Sequence, residues 1–102
     1  PGRIENNLRL VEVLRKAAYV NSNIIQEKSS SKTYQLIQAA ELLENYPEDV
    51  FELSKNEFKK LNIPKAAHPY IIDYFLNRES LILKDLEEKA YNVVVKNLDD
   101  LH

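Results

Sequence analysis

The sequence predicts an all-α fold: a bundle of four to five helices forming a single domain over residues 3–102. Three observations point there. Apolar residues recur at three- and four-residue steps along most of the chain, the spacing of one helix face. No stretch alternates apolar and polar residues long enough to make a strand. The chain holds one glycine, Gly2, whereas all-β folds and phosphate-cradling loops lean on glycine for positive φ angles. With 102 residues, 44% of them hydrophobic and 29% charged, there is room for one core that needs no metal or disulfide staple.

The elements follow in order. Ile4, Leu8, Val11, Leu14 and Ala18 give an apolar stripe over 4–20, and Leu10, Val13 and Ala17 widen it enough to pack on two neighbours. Asn21-Ser22-Asn23 reads as a break, with Ile24 and Ile25 still touching the core. Ser29-Ser30-Ser31 leads into a helix over 32–46, with Leu36, Ala39, Ala40, Leu43 and Tyr46 on its inner face. Pro47 stops it, since the residue before proline is pushed out of the α region. Val50, Phe51 and Leu53 anchor a short segment to the core. Ser54-x-x-Glu57 is a capping-box pattern, opening a short helix over 55–61. A connector of residues 62–67 leads to His68-Pro69, with Pro69 at a first helical position where a missing N–H costs nothing. The helix over 69–76 is expected to bury Ile71, Ile72, Phe75 and Leu76, and to pair with 55–61 as a hairpin. A last helix runs from 78 to 98 along Leu81, Leu83, Leu86, Ala90, Val94 and Leu98. The expected core comprises Leu14, Leu36, Leu43, Phe51, Phe58, Ile72, Phe75, Leu86 and Val94.

Composition excludes several chemistries. Without cysteine there is no disulfide, thiolate metal site or cysteine nucleophile, and two histidines are too few for a histidine metal cluster. No cofactor or metal is expected. The serines of 29–31 have no histidine partner nearby in sequence, and His68 lacks the orienting group that acid–base work needs. The acids Glu41, Glu44, Glu48, Asp49 and Glu52 have no glycine bend of the kind a calcium loop requires, and read as a solvated face. No apolar run reaches the roughly 20 residues of a membrane span, so no membrane partner is expected. The chain begins Pro-Gly and lacks methionine, and so reads as a fragment of a longer protein.

Two surface features remain. Lys55, Lys59, Lys60 and Lys65 fall within eleven residues whose only acid is Glu57. That window carries +3, leaving −5 for the remainder of a chain with net charge −2. Such lysines can meet phosphates as point charges without reading bases. Tyr70 and Tyr74, four apart on one helix, can present an aromatic stripe to a protein partner or pack into the core beside Ile71 and Phe75.

One resemblance sharpens these readings. Ala39-Ala40-Glu41-Leu42-Leu43-Glu44-Asn45-Tyr46-Pro47, followed by KKLNIPKAAHPYIIDYFL at 59–76, resembles in order and spacing the N-terminal helical domain of X-family DNA polymerases. The likeness covers residues 5–77. It implies a helix-hairpin-helix unit whose Gly-apolar-Gly turn binds a DNA phosphate at a helix N-terminus. Here that turn is Ile63-Pro64-Lys65, without glycine and with one donor fewer. The family's Schiff-base lysine falls on Ile71, which cannot attack a sugar. The resemblance therefore implies a degenerate relative without lyase activity. The expected function is a non-catalytic protein-interaction domain of a larger intracellular protein, nuclear and engaged in DNA maintenance or repair. The alternative is a weak, sequence-independent DNA-binding accessory domain using the Lys55–Lys65 window.

Overall fold

The structure, a computed structural model, describes residues 4–25 and 30–100. Five α-helices are joined by short helical turns: α1 (Glu5–Val20), a π-helical turn (Asn21–Ile25), α2 (Ser30–Glu44), a 3₁₀ turn (Val50–Glu52), α3 (Lys55–Lys60), a 3₁₀ turn (Lys65–Ala67), α4 (His68–Asn77) and α5 (Leu81–Asp99). The described residues contain no strand.

The expected first break does not occur. Asn21–Ile25 extends the end of α1 as a π turn, with i→i+5 hydrogen bonding in place of the α pattern. The helix expected over 32–46 starts at Ser30 and ends at Glu44, followed by a turn in which the Tyr46 N–H donates to the Leu43 carbonyl (3.3 Å). Ser29 lies outside the described residues. The capping box forms as its residue pattern predicts. The Ser54 Oγ accepts from the Glu57 N–H (3.2 Å), and the Glu57 Oε1 accepts from the Ser54 N–H (2.9 Å).

α1 and α2 pack along their lengths, and their stripes supply the centre of the core: Leu10, Leu14, Leu36 and Leu43 are fully buried, with Ala17, Ala39 and Ala40 small enough to bring the helices close. Arg15 and Glu44 bridge the same pair at the surface (2.7 Å). The 3₁₀ turn at Lys65–Ala67 lies against α2, where Gln35 Oε1 accepts from the Ala66 N–H (3.2 Å). α5 closes the bundle by packing on α1, α4 and the π turn.

The α4–α5 corner is tied by hydrogen bonds. Arg78 ends α4 in the left-handed region (φ 60°), its N–H donating to the Tyr74 carbonyl (2.8 Å). α5 therefore starts three residues later than expected. Ser80 caps it by accepting from the Leu83 N–H (3.0 Å), and Asp73 reaches over from α4 to accept from the Ile82 N–H (3.0 Å) and the Ser80 hydroxyl (3.3 Å).

The core departs from expectation at three named residues. Leu14, Leu36 and Leu43 are buried, and Phe51, Phe58 and Leu86 pack half-buried against the core. Ile72, Phe75 and Val94 are exposed instead. For Val94 the reason is reach. Nineteen residues make a helix about 28 Å long, and its C-terminal half, past Ala90, holds no buried residue. For Ile72 and Phe75 the reason is rotation: α4 turns Tyr70, Ile71 and Tyr74 inward.

Candidate functional site: an apolar groove beside the third and fourth helices

α4 carries apolar side chains most of the way round, so its sequence permits more than one inward face. Packing of α1 and α5 against it chooses the tyrosine side. Tyr70 and Tyr74 are 3% and 8% exposed and belong to the core, which corrects their expected role as surface anchors. Tyr74 lies parallel to the Phe51 ring, centroids 6.1 Å apart. A tyrosine tolerates such a place because its ring is apolar and only the hydroxyl needs a polar neighbour.

The same rotation brings Ile72, Phe75 and Leu76 to the surface, 57%, 50% and 69% exposed. They form one wall of an open groove of about 260 Å³. Leu53, Ser54, Lys55 and Phe58 form the opposite side, while Val50, Phe51 and Ile71 complete the lining. The Phe75 ring tilts against Phe51, 5.1 Å between centroids. Phe58 meets the His68 ring edge-on at 5.5 Å. The hairpin pairing expected of the two short helices is not established: they share the groove and the Phe58–His68 ring contact, but they do not pack closely along their length.

Polar residues of α1 hold the groove's floor in place. Asn7, 1% exposed, donates through Nδ2 to the Glu48 carbonyl (2.6 Å) and accepts at Oδ1 from the Val50 N–H (2.9 Å). Asn6 donates to Asp49 Oδ2 (2.8 Å), while Asp49 Oδ1 accepts from the Phe51 N–H (2.9 Å) and so caps the turn that carries Phe51. The sequence reading passed over both asparagines. Their signal was a pair of poor helix formers at the start of an otherwise apolar-striped helix.

The four lysines are all exposed, and among the described residues none takes part in an ion pair. Lys55 lines the groove, and Lys59 is one turn further along the same side of α3. Lys60 points elsewhere on the helix. It faces Glu57, whose carboxyl is held below the usual range by the Ser54 backbone and hydroxyl hydrogen bonds and then by the Lys60 charge. Tyr46, across from this turn, has its phenol pushed up by burial and by Glu48 and Glu57.

Beside the Ile63-Pro64-Lys65 turn that the polymerase resemblance assigns to phosphate, the amides of Ala66 and Ala67 are engaged. Asn62 supplies the left-handed turn (φ 54°), a conformation asparagine tolerates. Pro64 has no N–H, the Ala66 N–H is taken by Gln35, and the Ala67 N–H donates to the Pro64 carbonyl (3.0 Å). His68 Nε2 lies 2.8 Å from the Ile63 carbonyl. A carbonyl only accepts, so that nitrogen carries the proton and the ring braces the connector.

No three described His, Asp or Glu side chains come together closely enough to hold a metal ion, and no described helix is long and apolar enough to cross a membrane. No protein-family model, curated protein or solved structure matches the chain. The functional reading rests on the residues themselves.

Proposed function

We propose that this chain is a non-catalytic protein-interaction domain, and that its docking site is the groove beside α3 and α4. The observation that carries the reading is the joint exposure of Ile72, Phe75 and Leu76 on one wall of an aromatic-lined groove. Clustered large apolar side chains at a surface are costly to leave in water and mark interaction sites. Helix-in-groove recognition, with anchors at i, i+3 or i+4, and i+7, suits an opening of this kind. The resemblance to the polymerase domain supports setting it in a larger nuclear protein of DNA maintenance. The second reading, weak DNA binding through Lys55, Lys59, Lys60 and Lys65, is favoured by their freedom from ion pairs. It is weakened by the donor missing at Pro64 and by the turning of Lys60 away from Lys55 and Lys59.

Fluorescence anisotropy of the whole chain separates the two. The probes are amphipathic helical peptides of about 16 residues, with acidic, neutral or basic polar faces, and duplex DNA at low and physiological salt. The expected result is micromolar binding of an amphipathic peptide, lost in Phe75→Asp, with no duplex complex at physiological salt. Failure of every peptide would refute the docking reading. A duplex complex that survives physiological salt and disappears when Lys59, Lys60 and Lys65 are changed to glutamate would establish the DNA reading in its place.

A further inference from the structure

Building on the groove as a docking site, we infer that its occupant is α5 of a second copy of this chain. The complementary surface is already present. Tyr91, Val94 and Leu98 are 68%, 44% and 56% exposed, and their spacing of three and four residues aligns them in one stripe on α5. The stripe spans eight residues, about 10 Å of helix, and is long enough to cover the wall formed by Ile72, Phe75 and Leu76, which spans five residues, about 6 Å. Its neighbouring row, Glu88, Asn92, Val95 and Asp99, carries two acids. The groove's α3 side carries Lys55 in its lining and Lys59 one turn on, neither with an ion-pair partner among the described residues. Two acids near the groove are differently placed: Glu57 is bound into the capping box, and Asp73 accepts at Oδ2 from the α5 N-terminus and at Oδ1 from Asn77 at the end of α4. Apolar stripe meets apolar groove, and an acidic row meets a basic rim.

Each copy thus carries one groove and one stripe. Two copies that exchange them make a closed two-fold pair, the commonest symmetry of soluble oligomers. That single arrangement covers the largest exposed side chains of α4 and of the C-terminal half of α5.

Sedimentation equilibrium of the intact chain over a wide concentration range tests this. A monomer–dimer equilibrium is expected, weakened by salt because the rim charges are solvent-exposed. Phe75→Asp, which spoils the groove, and Leu98→Asp, which spoils the stripe, each weaken it at least about tenfold, a charge buried without a partner being worth more than that. The decisive arm mixes the two variants. Each alone is monomeric, but the intact stripe of one fits the intact groove of the other, so the mixture forms a heterodimer. Lys55→Glu weakens association, and adding Glu88→Lys restores part of it. Helicity by circular dichroism confirms that each variant is folded, and Phe75→Ala and Leu98→Ala replace any that is not. A chain that stays monomeric overturns the inference, as does a dimer indifferent to both substitutions or a variant mixture that fails to associate. If the chain is monomeric but an acidic amphipathic peptide binds the groove, self-association falls while the docking reading stands.

Discussion

Replacing Asn7 with alanine should be among the most damaging single changes outside the leucine core, although the residue is polar and sits in the first turns of a helix. Its amide makes two hydrogen bonds to one turn, at 2.6 Å to the Glu48 carbonyl and 2.9 Å to the Val50 N–H, with sequence separations of 41 and 43 residues. Alanine removes both and supplies no substitute. The Val50 N–H is left without its acceptor in a buried place, and the Glu48 carbonyl loses its partner at a half-buried one. Each orphaned group costs about 1–3 kcal/mol, so the expected loss is about 2–5 kcal/mol. The better helix propensity of alanine returns only a few tenths. Urea denaturation followed by circular dichroism measures this, with Asn6→Ala as the internal comparison. Asn6 makes one half-buried bond, to Asp49, and its loss should cost about 1 kcal/mol or less. A cost below about 1 kcal/mol for Asn7→Ala, or equal costs for the two asparagines, would refute the clamp. A functional consequence comes with it. The turn held by Asn7 carries Phe51, so loosening it should weaken peptide binding in the groove even where the chain remains folded.

The remaining predictions concern burial, capping, acid and a lone polar side chain. Phe75→Ala should cost less than about 1.5 kcal/mol because half the ring is already in water, whereas Leu36→Ala should cost about 2–5 kcal/mol; comparable losses would return Phe75 to the core. Ser54→Ala should destabilise by about 1 kcal/mol through loss of the α3 cap, measured by chemical denaturation. The Glu57 carboxyl has its pKa lowered in the folded chain, so its contribution is complete above the unfolded carboxylate value and is lost as pH falls through the folded one. Stability profiles from neutral to acid pH should therefore show a smaller acid loss in Glu57→Ala than in the parent chain, and parallel profiles would count against the assignment. Asn21 is buried in the π turn with neither amide atom hydrogen-bonded to the protein, so Asn21→Leu should raise thermal stability; a clear drop would reveal a polar requirement at that turn.

The site itself was only partly readable. The Ser54–Glu57 box and the basic character of the Lys55–Lys65 window are local, and both stand in the structure as the residues suggest. The groove was not readable, because it depends on which side of α4 faces inward. Asn6 and Asn7 act on residues more than forty positions away, and no local pattern announces that.

Helix-period spacing, the scarcity of glycine, the stop at Pro47 and the helix start at Pro69 determined the all-α class and most element positions by themselves, because backbone hydrogen bonding and φ restriction operate over a few residues. Tertiary structure decided the rest. The inner stripe of α1 had little choice, while α2 buries Leu36, Ala39, Ala40 and Leu43 and leaves Tyr34, Ile37 and Leu42 outside. α4 had several, with Tyr70, Ile71, Ile72, Tyr74, Phe75 and Leu76 all able to leave water. Only the arrival of α1, α5 and the Phe51 turn selected the tyrosine side and left Ile72, Phe75 and Leu76 outside. Apolar burial is non-directional: it rewards any face that a neighbour covers, and the neighbours lie far away in sequence.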